Sequence, residues 1–359
     1  MTYLPKYKRI LFIALLAALV AGCREEYDPD IDVSQKVLVV EGMVTSLNEQ
    51  TSVTLSMAEP YNSDLKASAV TGAFVYIRDD KGKIDVLNAN FNGHYVTDTS
   101  FRGVTGSTYT LHIQTSDGSV YRSTPQLLLP AAGIDSIYGE LSQQEFIYTD
   151  IWGNTTGKLE DGAQTFADFH SNAGDSVHYR IGTRMLIGYS YTDPDTKPFA
   201  TIYYLWKKLE KDRTLNITGI NNSISAEVMN RYSAHFFPLN PFLYGMTSDQ
   251  NLENFFLQIK LYTLNDEAFA YYRDVSSQLS ATGKLFDPIA TQVYGNIICT
   301  SDASKLVLGF FEASGCVKQT YWVQPLSGDN RVDYGLTYDL DGIPDSGKTT
   351  QTRPYFWHF

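Results

Sequence analysis

Few residues of this chain stand at spacings that chemistry needs, and the clearest set lies near its start. In Leu19-Val20-Ala21-Gly22-Cys23, two small residues let the backbone enter a peptidase site, and the cysteine behind them is the reactive group. Its thiol can carry a diacylglycerol, and cleavage before it frees an amine for a third acyl chain. Each buried CH₂ contributes ~0.8 kcal/mol, so two or three chains hold a protein on a membrane. Cys299 and Cys316 are the other two cysteines. An even pair in an oxidising compartment is a disulfide candidate. A bridge over a loop of that size would contribute roughly 3 kcal/mol, and a reduced pair, buried separately, is the alternative.

Other constellations fail on inspection. Gly153-Asn154-Thr155-Thr156-Gly157-Lys158 imitates a phosphate loop, but it is one residue short between the glycines and continues into Leu159, so it reads as an ordinary loop. Asp339-Leu340-Asp341-Gly342-Ile343-Pro344-Asp345 begins like a calcium loop, then lacks the third acidic position and the distal glutamate, and reads as an acidic turn. His94, His112, His170, His178, His235 and His358 are scattered, without ligand partners at metal spacing. No nucleophile, paired acid or cofactor motif stands out, so neither an enzyme, a metal nor a cofactor is expected. Tyr189 and Tyr191, Tyr203, Tyr204 and Trp206, Phe236 and Phe237, and Tyr355, Phe356 and Trp357 form aromatic clusters. Each is either a binding platform or ordinary sheet residues.

The elements around Cys23 agree with its chemistry. Lys6, Lys8 and Arg9 precede an apolar run from Ile10 to Val20, too short for a bilayer core but suited to a signal segment over residues 1–22. The arrangement resembles the lipobox of bacterial lipoproteins, with Val20 at the position usually held by Leu. An uncleaved anchor or an ordinary signal peptide is the alternative. Residues 23–35 form an acidic tether, and Glu25 and Glu26 lie just past Cys23. This cluster resembles the surface-export signal of Bacteroidota lipoproteins and implies outward display, against a periplasm-facing anchor. The chain holds 28 Lys and Arg against 40 Asp and Glu, net −12, and loss of the three basic signal residues makes it more negative. That charge disfavours nucleic acid, as does the lack of a basic stripe.

From 36 to 130 the apolar period is two, with turn residues at Asp80-Lys81-Gly82, Asn92-Gly93 and Asp117-Gly118. Roughly seven short strands with no helical stretch predict a β-sandwich. Leu127 to Gly133 reads as a boundary, and 134–359 as a larger β-rich domain with one or two helices. One helix is well signalled. Asn265 can cap it, Asp266 and Glu267 fill its first turn, Gly283 can end it, and Ala268, Tyr272, Val275 and Leu279 form one apolar face. A shorter helix is expected around Ser225 to Tyr232.

The pieces "TGAFVYIRDDKG", "NGHYVTD" and "GSTYTLHIQTSDGSVYRS" resemble immunoglobulin-like or transthyretin-like modules. With "KVLVVEGMVTS", the block "GKLFDP…GNI" (283–287 and 295–297), "LVLGFFEAS" and the terminal "RPYFWHF", the ordered set resembles a family of Bacteroidota outer-membrane lipoproteins, a domain of unknown function encoded beside TonB-dependent receptors. That family pattern carries cysteines before its terminal PxFW. Here "DSGKTTQTRPYFW" has none, so no disulfide scheme is carried over. The resemblance implies a lipid-anchored surface protein of the outer membrane that serves a TonB-dependent barrel as a non-enzymatic accessory or binding subunit in nutrient uptake. The alternative is a stand-alone surface module that binds glycan, peptide or protein.

Overall fold

Alternating apolar residues dictate the architecture, because successive side chains on a strand point to opposite faces of its sheet. The computed structural model describes residues 37–58, 67–171, 177–192, 202–210, 216–220, 228–240, 243, 250–280, 293–323 and 349–350. Within them the chain is mainly β, with large sheets of sandwich type and one α-helix.

The first part runs through β1 (Val37–Thr45), β2 (Ser52–Ala58), β3 (Ser68–Ala69), β4 (Phe74–Asp79) and β5 (Ile84–Ala89). It continues through β6 (His94–Val96), β7 (Thr108–Gln114), β8 (Val120–Ser123) and β9 (Gln126–Leu127). Leu38, Val40, Val53, Leu55, Val75, Ile77, Leu111 and Ile113 alternate along these strands and share one core. The expected turns form where the backbone must turn left-handed. Asn92 and Gly93 have φ of 51° and 77°. Gly118 has φ 85°, beside Asp117, whose carboxylate accepts from the Ser119 N–H at 3.1 Å.

The second part contains β10 (Gly133–Thr149), β11 (Thr155–His170), β12 (Val177–Thr192), β13 (Ile202–Glu210), β14 (Asn216–Ile220) and β15 (Val228–Pro238). After β16 (Gln250–Leu264) come α1 (Asp266–Ser280), β17 (Ile297–Cys299), β18 (Val307–Val323) and β19 (Thr349–Thr350). The helix starts as its sequence predicts: Asn265 Oδ1 accepts the Ala268 N–H at 2.9 Å. Ala268 is buried and Tyr272 and Val275 are half-buried, but Leu279 is exposed, so the apolar face narrows toward the end. Gly283 lies outside the described residues. The short helix expected near Ser225 to Tyr232 is instead strand β15 over its described part. There β11 needs an antiparallel partner, and alternation buries Ala234 between exposed Ser233 and half-buried His235.

Among the described residues the strands pair in one continuous path, β17-β8-β7-β4-β5-β6-β2-β1-β18-β16-β12-β13-β19, beside a three-stranded sheet β10-β11-β15. The join is a parallel pairing of β1 with β18, in which Val40 faces Gly309 and Met43 faces Glu312. Segments on both sides of Leu127–Gly133 therefore build the first core, since Ile297, Cys299, Val307, Phe311 and Ala313 complete it. A second core lies between β12, β16 and β18 and the three-stranded sheet, with Phe169, Tyr179, Ile187, Phe237, Phe255 and Leu257 inside it.

Candidate functional site

Strand register explains how polar side chains gather on one outer face. Glu41 pairs with Thr54 and Met43 with Ser52 across β1 and β2. Phe310 and Glu312 of β18 stand beside Glu41 and Met43. Cys316 pairs with Tyr262, and Tyr262 with Arg180. Side chains alternate, so all of these share a face, opposite to Val40, Val53 and Phe311 in the first core and to Leu261 and Tyr179 in the second. Helix α1 covers part of that face, packing Ala268, Phe269, Tyr271 and Tyr272 against Tyr262, Leu264, Phe310 and Cys316.

Under the helix sits an ion pair. Arg180 Nη2 donates to Glu312 Oε1 at 3.1 Å and Oε2 at 2.9 Å, and Glu312 is wholly buried. The Tyr272 hydroxyl donates to Glu312 Oε2 at 2.6 Å, and the Ser314 hydroxyl also donates to Glu312. The guanidinium lies between two rings, 4.1 Å from the Tyr262 centroid and 4.7 Å from that of Tyr272. Burial works against the Arg180 charge, but Glu312 outweighs it and raises the pKa of Arg180 further. Burial first, then the Glu312 charge, pushes the Tyr272 phenol well above its ordinary range. Nε of Arg180 is buried without a hydrogen-bond partner.

A cleft of about 440 Å³ opens beside this pair, between α1 and the outer face of β1 and β2. Tyr271, stacked on Phe310 at 4.7 Å, and Tyr272 form one wall. Glu41, Ser52 and Thr54 form the other, and Arg180 reaches the floor. A second cavity of about 500 Å³ lies on the first part of the chain, lined by Arg78, Thr110, His112 and Arg122 among others. There His112 stacks on Tyr76 at 4.6 Å, and burial, followed by Arg122 and Arg78, lowers its pKa.

The other conspicuous surface is the β10–β11 hairpin, with strands of 17 and 16 residues. Its base is core, where Ile137, Ala163, Ala167 and Phe169 are buried. Among the described residues none covers its outer half. Register puts Leu141 opposite Ala163, Glu145 opposite Leu159 and Ile147 opposite Gly157. One face therefore presents Leu141, Ile147 and Leu159, all more than 60 % exposed, between Gln143, Glu145 and Asp161. At the tip Ile151 is 89 % and Trp152 80 % exposed. The turn that carries them is tightly tied: Asp150 Oδ1 accepts from Trp152 N at 2.9 Å and Asn154 N at 2.8 Å, and Gly153 has φ 86°.

The residues singled out from sequence separate widely. Cys23, Glu25, Glu26, Asp339–Asp345, Tyr355–Trp357 and His358 lie outside the described residues, as do the side chains of Tyr203 and Trp206. The Cys299–Cys316 bridge is not formed: both thiols are free and buried, Cys299 in the first core and Cys316 beneath α1. The two sides of the sheet keep them apart, because Cys316 shares the outer face and Cys299 points into the sandwich. Burial pushes the Cys316 thiol up to about 12. Gly153 to Lys158 is the hairpin turn and its first β11 residues, where Lys158 pairs with Glu160 at 2.7 Å. His170 meets Asp135 at 2.7 Å, and His178 stacks on Phe269 at 3.7 Å. Tyr189 and Phe237 are core residues and Tyr204 is exposed. Sequence reading missed the Arg180–Glu312 pair, whose members are 132 residues apart. It also missed the tip, although Ile151-Trp152 beside Gly153-Asn154 is a visible signal of large apolar residues on a turn.

Fold and surface together define a β-rich chain with a helix-roofed cleft and a projecting hairpin. It belongs to the family described as a domain of unknown function (DUF4249), which matches residues 24–320. No curated protein matches the chain at a significant level.

Proposed function

We propose that this protein is a lipid-anchored, non-enzymatic accessory or binding subunit of a TonB-dependent nutrient-uptake system, displayed on the outer membrane of a Bacteroidota cell. The single observation that supports it most is the hairpin. Ile151 and Trp152 at a rigid tip, followed by Leu141, Ile147 and Leu159 on one face, are what a partner-binding element presents. Exposed Trp is a preferred interface anchor, since a large rigid ring loses little entropy on docking. The Cys23 motif and the acidic tether support an anchor that leaves the body free to meet a barrel. Among the described residues no helix is long and apolar enough to cross a membrane.

The test is mild detergent extraction of outer membranes, capture through a tag placed away from both termini, and mass spectrometry. A lasting complex would bury about 1,200–2,000 Å². The expected result is a stoichiometric barrel with the wild-type protein, and at least a tenfold lower yield with Ile151→Ser/Trp152→Ser. Capture of the lipoprotein alone, across several detergents and growth substrates, would sink the accessory reading and favour a stand-alone module. The cleft beside Arg180 is the observation that favours that second reading.

A further inference from the structure

We infer that the cleft between α1 and the β1–β2 pair is a binding site for a neutral carbohydrate ring, stacked on Tyr271 and hydrogen-bonded by Glu41, Ser52 and Thr54. Its volume, about 440 Å³, falls in the range of about 300–1,000 Å³ typical of small-molecule sites. The aromatic wall is already assembled. Tyr271 packs on Phe310 with ring planes only 21° apart, and it meets Tyr272 edge-on at 5.3 Å. Neither depends on a ligand for its position, so the wall is preorganised.

The polar lining selects the class of ligand. Arg180 closes the floor, with Nη2 bound to Glu312 and Nε buried out of a ligand's reach. Glu41, on the exposed rim, supplies only acceptors. Ser52 and the Thr54 hydroxyl, which already meets His94 Nδ1 at 3.0 Å, can do both. An anion would meet Arg180 already neutralised by Glu312, with Glu41 opposing it. A simple cation would find one carboxylate, Glu41, on an exposed rim where water screens it, and nothing else to coordinate it. A sugar ring offers hydroxyls that donate to Glu41 and accept from the Ser52 and Thr54 hydroxyls, and an apolar C–H face for Tyr271. The ring therefore satisfies every wall without placing a new charge next to the buried pair.

This inference does not depend on the hairpin docking to a barrel, and it is tested without any partner. Saturation-transfer NMR on the full-length protein would use a panel of methyl glucoside, methyl galactoside, methyl mannoside, methyl xyloside and N-acetylglucosamine, with dialanine and choline as controls. The expected result is transfer to the ring protons of at least one glycoside, with an affinity lowered tenfold or more by Glu41→Gln and by Tyr271→Leu. Glu41 is exposed, so Glu41→Gln keeps the fold even if the Tyr271 variant does not. The control Arg78→Ala, on the other cavity, should leave the signal intact. No transfer to any glycoside, transfer unaffected by Glu41→Gln, or binding of dialanine or choline instead would overturn the assignment.

Discussion

At the scale of single residues, the Arg180–Glu312 pair governs the ground beneath α1. Two charges lose their hydration there, and what returns that cost is geometry. Glu312 receives two hydrogen bonds from Arg180, one from Tyr272 and one from Ser314, while the guanidinium rests between two tyrosine rings. Removing one member leaves the other charged and unpaired. Glu312→Gln should therefore destabilise the fold by about 3–5 kcal/mol in urea unfolding. The paired change Arg180→Met/Glu312→Met should cost much less than the two single changes added, because no stranded charge remains. A single-variant loss below about 1 kcal/mol would show that water reaches the pair through the cleft and replaces its partners.

At the scale of elements, the "GNI" block shows why a turnless stretch before β17 holds the sheet together. Asn296 donates through Nδ2 to the Phe311 carbonyl at 2.8 Å and accepts through Oδ1 from the Phe311 N–H at 2.9 Å. Its own carbonyl accepts the Thr124 N–H at 2.8 Å, so one residue ties β18 to the segment after β8. Next to it, a Cβ on Gly295 would lie 1.4 Å from the Gly309 carbonyl oxygen, and Gly309 itself sits at φ 93° against the backbone of Val40. Both positions require glycine, one for closeness and one for conformation as well. Asn296→Ala should leave two buried backbone groups of Phe311 unpaired, at roughly 1–3 kcal/mol each. The expected signs are a lowered urea midpoint and faster amide exchange at Phe311. Unchanged exchange there would mean that water takes over the side chain's role.

At the scale of the whole molecule, the proposal is a soluble body held on a lipid anchor. Cys23→Ser should move the protein out of the membrane fraction or leave it uncleaved, with no incorporation of labelled fatty acid. Wild-type fractionation and labelling in that variant would rule out the anchor. Sidedness follows separately: proteinase K on intact cells should digest the wild type, and Glu25→Ala/Glu26→Ala should protect it. Protection of the wild type until lysis would place the body in the periplasm. The acidic balance, net −12 and more negative without the signal residues, favours keeping such a body in solution and away from anionic surfaces. On the hairpin the same sign flanks the apolar stripe, with Glu145 and Asp161 beside Leu159 and Ile147, which favours a partner rimmed by basic residues.

What the sequence by itself determined is what depends on neighbours along the chain. Period-two alternation is a local signal, so the strands around Val53, Val75 and Tyr109 are legible in it. The Asn92-Gly93 and Asp117-Gly118 turns and the Asn265 cap are legible too, since each rests on the residue's own conformational preference. The mainly β class follows from these. Tertiary structure decided everything that depends on which strands meet. Alternation shows that Leu38 and Val40 face one way, but not that β18 lies alongside in parallel, bringing Glu312 beside Met43. It could not separate Cys299 from Cys316, because the two thiols point to opposite sides of a sheet assembled from distant segments. The Ser225–Tyr232 segment has helical propensity, and over its described part, from Val228, pairing with β11 overrides it, since an unpaired strand edge leaves backbone groups without partners. The cleft is the extreme case: its walls come from β1, β2, β12, β18 and α1, and only folding brings Glu41, Arg180 and Tyr271 to one cavity.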